Sequence, residues 1–123
     1  MTTPAATVVR QYHQAWTTGD LDRAMELVAD DITCRAPGVD LAGKDAYRSY
    51  LAGFAPLLTG IGEIAEFADP ERAGTARVAL FYYPQTAVTD TAPAAECFTV
   101  RDGLISDSVL IFDRLAFGPP SEG

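Results

Sequence analysis

Residues 94–117 read AAECFTVRDGLISDSVLIFDRLAF, and their reading decides the fold. Arg101-Asp102-Gly103 is turn chemistry set between two runs, 94–101 and 104–117, that alternate with period two. The stretch therefore predicts a β-hairpin. In 108–115 one face carries Ser108, Leu110 and Phe112 and the other Val109, Ile111 and Leu115. Both faces are mostly apolar, so the sheet needs cover on both sides. Glu96 is the anomaly, a carboxylate lodged between alanines and Cys97-Phe98-Thr99-Val100. Burying it costs free energy unless it is neutralised or partnered.

Upstream of the hairpin, residues 61–68 and 74–83 also alternate, with DPERAG between them. A loop falls within 84–93; its position stays open, because Ala87-Val88-Thr89 fits either neighbouring strand. Before residue 58 the period changes. Ala5, Val8, Val9, Tyr12 and Trp16 recur at helical spacing, and Gly19 ends that helix. Asp20 is a good N-cap for a second helix striped by Leu21, Ala24, Met25 and Val28, closed at Asp30-Asp31. Residues 32–36 read as a strand that Pro37-Gly38 stops. A third helix follows in GKDAYRSYLAGFAPLL, with Ala46, Tyr47, Tyr50, Leu51 and Phe54 on one side. Helix, helix, strand, helix and then four strands predict an α+β fold: a curved antiparallel sheet with three N-terminal helices on its concave face.

The 123 residues suit a single domain, taken as 1–118 with a disordered tail at 119–123. Charge sets the class of partner. Nine Lys and Arg against 17 Asp and Glu leave −8, a field that repels nucleic-acid phosphates and anionic lipid. No apolar run approaches the roughly 20 residues of a membrane helix, and MTTPAATVVR lacks a basic stretch ahead of an apolar one. The expectation is a soluble cytoplasmic protein without a signal peptide. Cys34 and Cys97 have no His or Cys at metal or redox spacing and read as small buried hydrophobes. No cofactor or metal is expected. The apolar second face of the hairpin predicts a homodimer through the sheet.

Three helices cannot seal a strongly bent sheet, and the gap is the natural place for a small hydrophobic ligand. Candidates to line it are Tyr12 and Trp16 from the first helix, Cys34 and Ala36 from the first strand, and Tyr50 and Phe54 from the third helix. The sheet would add Glu96, Phe98, Leu110 and Phe112. Among such walls Glu96 becomes a neutral acid able to donate a hydrogen bond, and Tyr12 could donate a second to the same oxygen. Two alternatives stay open for Glu96: a solvent-facing side chain, or a cross-strand pair with Arg77 or Arg101. Asp113 is either a pocket acid or the partner of Arg114. His13 lies on the shoulder of its helix stripe and reads as a surface residue, and Arg35 should face outward.

The stretches QYHQAWTTGDLDRAMELVADDITCRAP (11–37), GKDAYR (43–48) and ECFTVRDGLISDSVLIFD (96–113) resemble the nuclear transport factor 2-like superfamily, in particular its SnoaL-like and ketosteroid-isomerase-like members. The resemblance implies a cone-shaped, often dimeric α+β barrel. It implies Tyr12 as an oxyanion-hole tyrosine and Glu96 as the protonated acid beside it. The isomerase's general base, an aspartate just before a proline at the end of strand one, corresponds to Ala36 here. An isomerase or cyclase acting on a steroid- or polyketide-like carbonyl compound is thus implied without its usual base, with Asp40 or Asp113 as possible substitutes. The alternative is a non-catalytic ligand-binding or dimerisation module.

Overall fold

The hairpin at 94–112 forms the middle of one six-stranded sheet in the computed structural model, which describes residues 4–113. The strands are β1 (Val28–Ala36), β2 (Val39–Ala42), β3 (Leu58–Ala68), β4 (Thr75–Thr86), β5 (Ala94–Arg101) and β6 (Leu104–Phe112). The helices are α1 (Ala5–Thr17), α2 (Leu21–Glu26) and α3 (Lys44–Phe54), the last followed by a 3₁₀ turn at Ala55–Leu57. The α+β class and the helices-before-meander order are as expected. The expected partner Arg114, strand end at 117 and tail at 119–123 lie outside the described residues.

Strand order is β2-β1-β6-β5-β4-β3. β3 to β6 are the expected antiparallel meander, whereas β1 runs parallel to β6, so the sheet is mixed rather than purely antiparallel. That parallel ladder also explains why Val28 is a strand residue and not part of the second helix. Val28 pairs with Ile105, and the Ile105 N–H donates to the Leu27 carbonyl. Tertiary pairing thus overrides the helical spacing of Val28. β2, which the residues alone did not mark, folds back on β1 through Pro37-Gly38 with Gly38 at φ 79°. β4 takes up Pro84, Gln85 and Thr86, which confines the open loop to 87–93.

α1 ends at Gly19 (φ 88°), and the Asp20 side chain accepts from the Arg23 N–H to cap α2. The buried face of α1 is Ala5, Val8, Val9, Tyr12, Ala15 and Trp16. It packs on the inner rows of the sheet, which the register sets as Tyr82–Ala94–Phe112, Leu80–Glu96–Leu110 and Val78–Phe98–Ser108–Cys34. Glu96 therefore occupies the centre of the inner face. On the outer face the same register aligns Ala65–Phe81–Ala95–Ile111 and Phe67–Ala79–Cys97–Val109. Phe67 is 63% and Ile111 64% exposed, so this side is an uncovered apolar patch. Cys97 lies on it and is exposed, not buried as expected; Cys34 is buried. Among the described residues no helix is long and apolar enough to cross a membrane.

Candidate functional site

Alternation along β5 turns Glu96 inward, and the structure keeps it there, 3% exposed. Among the described residues it meets no arginine. Arg77 pairs with Asp69 on the outer face, and the Glu96 carboxyl instead accepts a hydrogen bond from the Tyr82 hydroxyl. Tyr82 lies opposite Ala94, one step diagonally from Glu96 on the same face of the sheet, which brings the phenol within reach. Burial pushes Glu96 up from 4.5 to about 7, with the Tyr82 bond pulling the other way. Near neutral pH the acid is thus present in both forms, the condition under which a side chain gives and takes protons most effectively.

Glu96 borders a cavity between the sheet and two helices. Trp16 closes it from α1, while Tyr47, Tyr50, Leu51 and Phe54 close it from α3. The sheet contributes Cys34, Tyr82 and Pro84, then Ala94 and Glu96, then Ser108, Leu110 and Phe112. Among the described residues no arginine, lysine or histidine is in this lining. Aromatic rings fill most of the space: Phe54 lies 6.3 Å, centroid to centroid, from both Trp16 and Phe112. The volume open to the centre of a water-sized sphere is about 30 Å³, room for about two waters. By the same measure a wider groove of about 630 Å³ runs outside, between α1 and β3–β4. Its Arg10 and Glu66 pair with each other through two hydrogen bonds.

Of the residues expected in the site, Trp16, Cys34, Tyr50, Phe54, Glu96, Leu110 and Phe112 line the cavity. Tyr12, Ala36, Phe98 and Asp113 do not. Tyr12 is fully buried one layer behind, its ring edge on Phe98 at 5.5 Å and its hydroxyl 2.5 Å from that of Tyr47. Tyr12 thus supports a phenol that reaches the cavity rather than reaching it directly. Burial pushes both phenols well above the ordinary tyrosine range, with Tyr47, then Glu96, adding for Tyr12, so they stay neutral donors. Ala36 is buried opposite Val39. Asp113 is exposed just past β6. Asp40, the other substitute acid, is exposed and lies 3.3 Å from Arg35, which faces outward as expected.

Sequence reasoning missed Tyr47, Tyr82 and Ser108 as site residues. Tyr47 sits one turn before Tyr50 and Leu51, so the helix period could have found it. Ser108 was already on the face of Leu110 and Phe112. Tyr82 needed the β4–β5 register, which the ambiguous loop withheld. His13 corrects a further expectation: it is half-buried, its ring 4.5 Å from Tyr82 and 5.7 Å from Trp16, and burial lowers it to about 4. The imidazole is neutral at pH 7 and adds no positive charge beside Glu96.

Among the described residues, two polar atoms of the lining have no partner in hydrogen-bond geometry: Ser108 Oγ and Trp16 Nε1. Cys34 and Tyr47 stand beside Ser108, which opposes the rise that burial imposes on each, yet neither meets it in hydrogen-bond geometry. An unsatisfied buried group of this kind costs roughly 1–3 kcal/mol.

Comparison with known proteins agrees with this architecture. Residues 9–108 match the SnoaL-like domain. A crystal structure of a protein from Kribbella flavida DSM 17836 is 40% identical, covering 90% of this chain and 88% of its own, with a TM-score of 0.80. A nuclear transport factor 2-like protein of unknown function from Cytophaga hutchinsonii ATCC 33406 is 17% identical over 96% of this chain and 98% of its own, at a TM-score of 0.73. A candidate polyketide cyclase from Xanthomonas campestris pv. campestris is 19% identical over 89% and 90%, at 0.67. No curated protein matches the sequence. With the match spanning 9–108 and the helices, bent sheet and inner cavity in their places, the chain belongs to the SnoaL-like family, on a nuclear transport factor 2-like fold.

Proposed function

We propose that the protein acts on a small hydrophobic carbonyl compound by stabilising negative charge on the carbonyl oxygen. Glu96, in its neutral form, donates from the carboxyl oxygen that Tyr82 does not occupy, and Tyr47, backed by Tyr12, supplies a second O–H. Donors already in place in a water-poor site favour an enolate-like transition state by several kcal/mol. The observation that carries the reading is a buried Glu96, with no arginine partner among the described residues, held near its neutral form in a cavity with apolar walls. Ala36 supplies no base where the isomerase has one. With Glu96 neutral and donating, the proton acceptor in this reading is a water, for which the cavity has room.

The test is exchange of the α-protons of cyclohexanone for deuterium, followed by NMR. Glu96→Gln should keep the fold and slow protein-catalysed exchange about 10²-fold; an unchanged rate in the folded variant would discard the assignment. The size of the cavity favours a second reading, a non-catalytic ligand-binding or dimerisation module. On that reading cyclohexanone binds without any exchange above background. We further propose that a second copy of the chain covers the outer face of the sheet at Phe81 and Ile111, supported by the exposure of both in one cross-strand row with only Ala95 between them.

A further inference from the structure

We propose that the outer groove, between α1 and the β3–β4 hairpin, binds a protonated primary amine carried on an apolar body, with Glu63 as its counter-ion. This site is separate from the inner cavity and does not depend on the function proposed above. The groove opens about 630 Å³, within the usual range of small-molecule sites. A bulge shapes its β3 wall. Glu63 pairs with Tyr82 and Glu66 with Leu80, two residues apart on β4, although the glutamates are three apart on β3. The register shift between Glu63 and Ala65 takes up the extra residue. Without it, alternation would point the two carboxyl groups to opposite faces of the sheet. With it, both line the groove, and Ile64 at the bulge lines it too, 48% exposed.

The α1 wall is Arg10, His13, Gln14 and Thr17, which recur at helical spacing, with Thr18 just after the helix. Its donors are largely engaged within the protein. Arg10 Nε and Nη2 donate to the two Glu66 oxygens at 2.8 and 2.7 Å. Thr17 Oγ1 donates to the His13 carbonyl at 2.6 Å and Thr18 Oγ1 to the Gln14 carbonyl at 2.8 Å. A hydroxyl has one hydrogen, so each of these oxygens offers only lone pairs to the groove. Burial holds His13 neutral at pH 7. Arg10 and Glu66 cancel in charge, and among the described residues the exposed Glu63 forms no salt bridge. The described lining therefore presents one net negative charge together with spare acceptors. Its complement is a group that is positive and only donates, and an –NH₃⁺ group, with three donors and no acceptor, is that group. The chain's net charge of −8 draws such a cation in and repels a carboxylate. Ile61 and Ile64 offer the apolar body a surface beside Glu63.

The test is titration of the full ¹⁵N-labelled chain at pH 7 and low salt, followed by amide shifts, with three probes. They are 2-phenylethylamine, 2-phenylethanol, which keeps the body without the charge, and phenylacetate, which reverses the charge. The amine should bind saturably and roughly fivefold tighter than the alcohol, the upper end of what an exposed ion pair supplies. Its shifts should concentrate at Thr17, Thr18, Glu63 and Ile64, and phenylacetate should bind more weakly than the alcohol. Glu63→Gln, a change at an exposed position, should bring the amine down to the alcohol's affinity and leave the alcohol unchanged. Glu96→Gln should alter neither affinity, which keeps this result distinct from any failure of the function proposed above. Equal affinities for amine and alcohol, or an amine affinity unaltered in folded Glu63→Gln, would overturn the inference. So would shifts centred on Glu96 and Leu110, or amine binding that depends on Glu96.

Discussion

Replacing Glu96 with glutamine should make the protein's stability less sensitive to alkali, by about 3 kcal/mol. Glu96 has an ordinary value of 4.5 in the unfolded chain and about 7 in the folded one. Between those two values the folded state holds a proton that the unfolded state releases, so unfolding becomes easier as pH rises. The stabilising contribution of the protonated acid is complete below about pH 4.5 and lost by about pH 7. Each pKa unit is worth about 1.4 kcal/mol, so the whole loss is about 3 kcal/mol. Glutamine can still accept from Tyr82 but has no proton to release. Its cost or benefit in packing shifts stability by a constant that does not depend on pH.

The assay is equilibrium urea unfolding of the wild type and Glu96→Gln at intervals from pH 4.5 to 8, at one protein concentration. The stability of the variant minus that of the wild type should rise by about 3 kcal/mol across the interval and level off above pH 7. Taking the difference matters because His13 pulls the other way. Its value falls from 6.5 to about 4 on folding, so it costs stability as pH drops through that range. Over much of the same interval the two slopes oppose each other in the wild type, and a single pH profile would hide both. His13 is present in both proteins and cancels to first order. A difference that stays flat from pH 4.5 to 8 would refute the reasoning, because it would mean that burial does not hold the proton on Glu96.

The Tyr82 bond lowers the Glu96 pKa against the larger effect of burial, so Tyr82→Phe should raise it further; the midpoint of the glutamate ¹³Cδ titration by NMR should move up, and a fall would contradict the geometry. On the outer face, Ile111→Asp should turn a wild-type dimer into a monomer in sedimentation equilibrium with little change in melting temperature, because Ile111 is 64% exposed within one copy. A wild-type monomer at micromolar concentration would refute the dimer.

What the sequence disclosed follows the range of the contacts involved. Periodicities of 3.6 and 2 depend only on near neighbours, and they correctly set Trp16, Tyr50, Phe54, Glu96, Leu110 and Phe112 facing one interior. The position of Glu96 was legible for a further reason: a lone carboxylate in an apolar strand stands out from its neighbours. The parallel pairing of β1 with β6 joins residues such as Cys34 and Ser108, and no local pattern encodes a partner so far along the chain. Tyr82 was hidden for the same reason, since its bond to Glu96 depends on a register set by a loop of uncertain length. Tyr12 shows the limit of carrying a role over by resemblance. Its place on α1 is inward, as implied, but Tyr47 lies between it and the cavity and takes up its hydroxyl.

The identity of the residue at position 96 separates the two functional readings. A leucine there would complete the core, and a glutamine would satisfy Tyr82 at no pH-dependent cost. A glutamate costs about 3 kcal/mol once the pH exceeds 7 and opposes ligands that carry negative charge. What it offers in exchange is a proton that leaves near neutrality, inside a cavity where burial keeps the Tyr47 and Tyr82 phenols neutral. Binding alone does not need that property, because fixed donors such as Tyr47, Ser108 and Trp16 suffice to hold a carbonyl compound. Proton transfer does need it. The physical case for catalysis over simple binding therefore rests on the titration of Glu96, and the pH-resolved comparison with glutamine tests that titration without knowledge of the substrate.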